Sequence, residues 1–171
     1  MLNQKNPMVH RDCASWRAAQ LAEFHSLADA VCSVIAMIDM KQNEISALRK
    51  VVCESARVAS RRQPHFMELS ETIETVFAAT SPYHLGAARS MAEKLQQMLA
   101  QAVATLSELP ASMTDAQAPP RTLAEKTEKA LADVRMTTGV LLRVIADADE
   151  EVRTLQAAFL AISVAQPRTG R

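Results

Sequence analysis

The sequence predicts an all-α protein: an elongated antiparallel helical bundle, or coiled coil. Three observations predict it. Only 4% of residues are aromatic and three are glycine, while Ala, Leu, Glu, Gln and Arg abound, which is a helix-forming composition. Neither Pro nor Gly occurs between Pro7 and Pro64. Apolar residues recur with a seven-residue period over both the first and the last third of the chain, the signature of helices that pack along a seam.

The first helix is predicted over about 13–62, roughly 75 Å of chain at 1.5 Å per residue. Asp12 or Ser15 can cap its start, and Arg57, Arg61 and Arg62 suit the negative end of its dipole. Its heptad reads Phe24, Leu27, Val31, Val34, Ile38, Lys41, Ile45, Leu48, Val52, Ser55, Ala59, broken only by Lys41 and Ser55. A kinked middle arm follows. Phe66, Leu69, Ile73 and Val76 mark a short helix over about 65–80. Ser81 and Pro82 then open a second piece over about 82–109, with Met91, Leu95, Met98, Ala102 and Leu109 as its apolar stripe. "PASMTDAQAPPR" at 110–121 is a loop. "TLAE" at 122–125 has the form of a capping box, Thr122 capping and Glu125 reaching back, and starts a last helix over about 122–164. That helix carries Leu131, Val134, Thr138, Leu141, Ile145, Ala148, Val152, Leu155, Phe159 and Ile162 in heptad register. Residues 1–11 and 166–171 are expected to be disordered tails around a single domain over 12–165.

The charge balance narrows the function classes. Nineteen basic and nineteen acidic residues give a formal net charge of zero. A nucleic-acid binder needs excess positive charge to displace counterions, so nucleic acid is not an expected partner. A neutral chain repels copies of itself weakly, and sustained heptads pair between chains, so a homo-oligomer is expected. No uninterrupted apolar run of about 18 residues occurs, so no transmembrane segment is expected. "MLNQKNPMVHRDCASWRAA" lacks the apolar core of a secretory signal. Cys13, Cys32 and Cys53 all fall on the first helix, too far apart along its axis to bridge, so a reducing cytoplasm is expected.

The chemistry-bearing residues do not assemble into a site. Asp147, Asp149, Glu150 and Glu151 resemble a calcium loop in charge. A calcium loop needs Gly at its sixth position and Glu at its twelfth; counting from Asp147 these are Val152 and Ala158. The four acids read instead as a solvated helix face around Ile145, Ala148 and Val152. His10, His25, His65 and His84 form no pair at helical metal-ligand spacing. His84 lies near Gly86 as in a phosphotransfer helix, but no Lys follows it. Cys32 and Cys53 read as small, partly buried residues; Arg49, four residues before Cys53, is one cation able to lower its pKa. There is no nucleophile elbow and no phosphate-binding glycine loop. No enzyme, no cofactor and no metal is expected. Met37, Met40, Met91 and Met98 read as core filler. Ile35, Met37, Met40, Val51, Leu99, Leu106, Leu142 and Leu160 lie off or beside the seams, and stripes that broad call for further cover. The expected interaction surface is the apolar seam: Phe24, Leu27, Val31, Val34, Ile38, Ile45, Leu48, Val52, Leu141, Ile145, Val152, Leu155, Phe159 and Ile162.

Residues 16–135 resemble a phasin, one of the small helical proteins that coat bacterial polyhydroxyalkanoate granules. A Trp-led helix, "ASWRAAQLAEFHSL", leads into "MIDMKQNEISALRKVVCESARVA". "SPYHLGAARSMAEKLQQMLAQAVATLSEL" has the family's order of Pro, Ala-rich run, Leu/Gln pairs and closing Glu-Leu, and "RTLAEKTEKALADVR" is similar to its charged late helix. The heptads over Thr138–Ile162, the three cysteines and the "APPR" loop depart from that pattern. The resemblance implies a non-catalytic cytoplasmic coat protein, with apolar helix faces on the granule polymer and oligomers in solution. The alternative is a coiled-coil adaptor or regulator, for example of a secretion system, whose seam zips onto a helical protein partner.

Overall fold

The computed structural model describes residues 12–62, 83–110 and 119–165. These residues form three α-helices that pack against one another, with no strand among them: α1 (Cys13–Arg62), α2 (Tyr83–Ser107) and α3 (Arg121–Ala165). The all-α bundle expected from the heptads is the observed fold. The helix expected over 65–80, the kink at Pro82, most of the loop over 110–121 and both tails lie outside the described residues, as do His10 and His65.

Helix α1 starts where its first free amides find an acceptor. Asp12 Oδ1 accepts from the Ser15 amide at 2.6 Å, and the Asp12 carbonyl accepts from the Trp16 amide at 3.0 Å, so Asp12 rather than Ser15 is the cap. Those bonds to Ser15 hold the Asp12 carboxyl below its ordinary pKa of 3.8. Their contribution is complete above that value and is lost as pH falls below it. The expected capping box at 122–125 does not form. Helix α3 begins at Arg121, one residue earlier, because the Pro120 carbonyl accepts from the amides of Leu123 and Ala124 at 2.9 and 3.0 Å. Pro120 therefore supplies the cap, and Glu125 turns to Arg121, 2.7 Å away.

The helices divide into two compact units: Met1–Cys32 with Glu93–Thr138, and Ser33–Ala92 with Gly139–Arg171. In the first, Cys13, Phe24 and Val31 of α1 are buried, with Leu95, Leu99 and Leu106 of α2 and Leu131 and Val134 of α3. Arg17 donates to the Ser107 carbonyl, closing the last turn of α2 from α1, and Gln96 donates to Cys32 Sγ at 3.2 Å. Residue numbers thus rise on α1 as they fall on α2, and the two run antiparallel. Thr138, the polar break in the α3 seam, donates to the Val134 carbonyl at 2.8 Å and stays within its own helix.

In the second unit, Val34, Ile38, Ile45, Val52, Ala56 and Ala59 of α1 are buried, with Leu85, Ala88 and Ala92 of α2. Helix α3 contributes Leu141, Ile145, Ala148, Val152, Leu155 and Ile162. Val52, Ala56, Ala59 and Ile162 form one cluster, flanked by the half-buried Ala158 and Phe159. Asp39 meets Arg89, and Gln42 lies against Gly86, so α1 and α2 are antiparallel here as well. Lys41 meets Asp149 and Arg49 meets Glu151, so α1 and α3 are parallel.

The α2 stripe differs from the expected one. Leu85, Ala88, Ala92, Leu95, Leu99 and Leu106 are buried, while Met91 and Met98 are exposed. Both lines have helical period and share Leu95. The inward line is the one that carries Ala88 and Ala92, whose small side chains let helices approach closely. Leu99 and Leu106, expected beside the seam, are in it. Met91, Met98 and Met40 are surface residues rather than core filler, while Met37 is half-buried.

Helix α1 is apolar over a long stretch, as the core helix of a bundle can be. Part of it, within Cys13–Ala59, is long and apolar enough by length and composition to cross a membrane, and most of that stretch is not buried. The stretch is this apolar because α1 carries apolar residues on more than one face.

Two leucines on α3 test the core assignment. Leu155 is 1% exposed and Leu160 is 61% exposed. Leu155→Ala is expected to destabilise the fold by about 2–5 kcal/mol, through lost transfer energy and a residual cavity. Leu160→Ala is expected to stay within about 0.5 kcal/mol of wild type. Urea unfolding followed by helicity measures both, and equal losses would contradict this register of α3.

Candidate interaction surface

The fourteen seam residues expected to meet a partner are placed inside the fold. Phe24, Val31, Val34, Ile38, Ile45, Val52, Leu141, Ile145, Val152, Leu155 and Ile162 are buried, and Leu27, Leu48 and Phe159 are half-buried. They already cover one another within the chain. The apolar surface left in solvent is a different set: among the described residues it includes Met40, Val51 and Val58 on α1, Met91 and Met98 on α2, and Met136, Val140, Leu142, Leu160 and Val164 on α3.

At 100° per residue, Met40, Ala47, Val51 and Val58 fall within a narrow stripe of α1, roughly opposite Ile38, Ile45 and Val52. Met40 is 56%, Val51 45% and Val58 40% exposed. Spaced seven, four and seven residues apart, they form a second heptad line on the same helix, with Glu44 and Glu54 at the intervening positions. On α3, Leu142, Leu160 and Val164 are also exposed, interleaved with Asp149 and Arg153. Four of these residues, Met40, Val51, Leu142 and Leu160, were expected beside the seam.

The acidic run of α3 is structural. Asp149 Oδ1 lies 2.8 Å from Lys41 Nζ, and Glu44 Oε2 lies 2.8 Å from the same nitrogen. Glu151 accepts from Arg49 Nε at 3.1 Å and also from Nη2. Glu150 pairs with Arg153 along its own helix at 2.9 Å, and Asp147 is exposed. Two of the four acids therefore reach across to α1 rather than facing only water. Among the described residues no group of His, Cys, Asp and Glu could hold a metal ion. His25 and His84 are exposed. Cys13 is buried, Cys32 and Cys53 are exposed rather than partly buried, and none of the three forms a disulfide.

No protein-family model, curated protein or solved structure matches the chain.

Hydrogen bonds to Asp149, then to Glu44, raise the Lys41 pKa above its ordinary value of 10.5. A raised lysine pKa means that its stabilising contribution is complete below 10.5 and is lost as pH rises through the higher folded value. The urea midpoint of wild type is therefore expected to fall more steeply above pH 10.5 than that of Lys41→Met, which lacks the titrating group. Parallel curves for the two proteins would show that the ammonium contributes nothing through these partners.

Proposed function

We propose that this chain is a non-enzymatic interaction protein, a phasin-like coat that lays an amphipathic helix face on a polyhydroxyalkanoate granule in the cytoplasm. One observation carries the reading: α1 is apolar on two opposite faces. Its inner seam is buried, and its outer stripe of Met40, Ala47, Val51 and Val58 is exposed. A smooth polymer surface rewards a face that is apolar along its length and makes no demand for individual side-chain pockets. The zero net charge suits binding that owes little to electrostatics. In solution the same stripe gives two copies of the chain a reason to associate.

The alternative is a coiled-coil adaptor or regulator, for example of a secretion system, and one observation favours it. The outer stripe keeps heptad spacing, and Glu44 and Glu54 break it at positions where a partner helix could supply cations.

Sedimentation with polyhydroxybutyrate particles separates the two. A coat is expected to bind saturably and to keep binding at high salt, because salt screens charge but does not weaken apolar contact. The triple substitution Met40→Gln, Val51→Gln and Val58→Gln lies on the surface, so the fold is expected to persist while the bound fraction falls several-fold. Binding no greater than that of a charge-matched helical bundle, or unchanged in the triple variant, would sink the coat reading.

A further inference from the structure

Within the first compact unit, the three helices leave an open groove of about 320 Å³. That lies at the small end of the range for ligand pockets, about 300–1,000 Å³. Its apolar lining includes Phe24, which is 1% exposed, Leu106, Leu123, Met98, Ala102 and Ala130. Its polar lining is Gln101, Thr105, Thr127 and Lys126. Both threonine hydroxyls donate within their own helices, Thr105 to the Gln101 carbonyl at 2.9 Å and Thr127 to the Leu123 carbonyl at 2.8 Å. The groove therefore offers Lys126 and Gln101 as its free donors, and none of the residues lining it is acidic. Arg17 adds a second cation nearby. It lies seven residues before Phe24 on the same face of α1, and its guanidinium is held by the carbonyl of Ser107, next to Leu106, not by a carboxylate.

An apolar trough with a lysine among its lining residues, no acid in its lining and an arginine nearby is complementary to one kind of molecule: a straight alkyl chain ending in a carboxylate. We propose that this groove binds a free medium-chain alkyl carboxylate, with the tail along Phe24, Leu106 and Leu123 and the head on Lys126 and Gln101. Neutral apolar molecules would gain the floor but not the head contact, and cationic amphiphiles would meet Lys126 as a like charge. The site is separate from the outer stripe of α1 and does not depend on the coat reading.

Calorimetric titration of the full chain with decanoate below its micelle concentration tests it, beside decyltrimethylammonium, which has the same tail and the opposite charge. Saturable binding of decanoate at one site per chain, with the cation much weaker, is expected. Lys126→Gln is expected to weaken decanoate by about tenfold, as loss of a charge-assisted hydrogen bond does. Ala102→Leu, which fills the groove, is expected to abolish binding, and Lys129→Gln, on the same helix but outside the groove, to change nothing. Helicity measured for each variant confirms that it is folded. Equal binding of the two amphiphiles, binding unchanged by both Lys126→Gln and Ala102→Leu, or no saturable binding would overturn the proposal.

Discussion

The inner seam of α1 is the constraint on which the other elements depend. A helix that presents an apolar residue every three or four positions draws most of its stability from packing and needs cover along that seam. Helix α2 supplies cover running antiparallel, through Leu85, Ala88, Ala92, Leu95, Leu99 and Leu106. Helix α3 supplies it running parallel, from Leu131 to Ile162. In both units the buried residues of α1, Ala56 apart, are those of a single heptad line, so the same rule of packing operates on either side of Cys32. What α1 has in excess, the stripe from Met40 to Val58, follows from the same composition: with so many apolar residues on one helix, a single seam cannot contain them all.

Much of this was legible from the residues. The limits of α1 and α3 follow from Asp12, the Pro-free stretch before Pro64 and the break before Arg121. The α1 and α3 seams follow from their period. What was not legible has physical reasons. On α2 two apolar lines share Leu95, and sequence period alone does not say which faces inward; close helix approach decides for the alanines at 88 and 92 over the methionines at 91 and 98. At 121–125, Thr122 and Glu125 have the right spacing for a cap, but the helix starts one residue earlier, with the Pro120 carbonyl taking the amides of Leu123 and Ala124, so Thr122 falls inside the first turn. The cross-helix ion pairs could not be read at all, since nothing local to Lys41 says that Asp149 will stand beside it. The outer stripe was visible as scattered residues off the seam, but its coherence as a line becomes clear only once the inner face is known.

Those ion pairs answer a problem that the apolar pattern cannot. A heptad seam is degenerate: sliding α3 along α1 by seven residues keeps every apolar position in phase. The slide does change what faces the half-buried cations of α1. In the observed register, Lys41 meets Asp149 and Arg49 meets Glu151. Moved one heptad in one direction, those acids would be replaced by Leu142 and Val144; in the other, by Gln156 and Ala158. Either slide takes the α3 carboxylate away from both cations, leaving Lys41 with Glu44 of its own helix, and a partly desolvated charge that loses a partner is more costly than one that keeps it. The pairs add little to net stability, as partly exposed salt bridges generally do. Their effect is to separate the native register from its neighbours. Lys41 therefore breaks the α1 seam at a place where the break, with Arg49, helps give the parallel helices a fixed alignment.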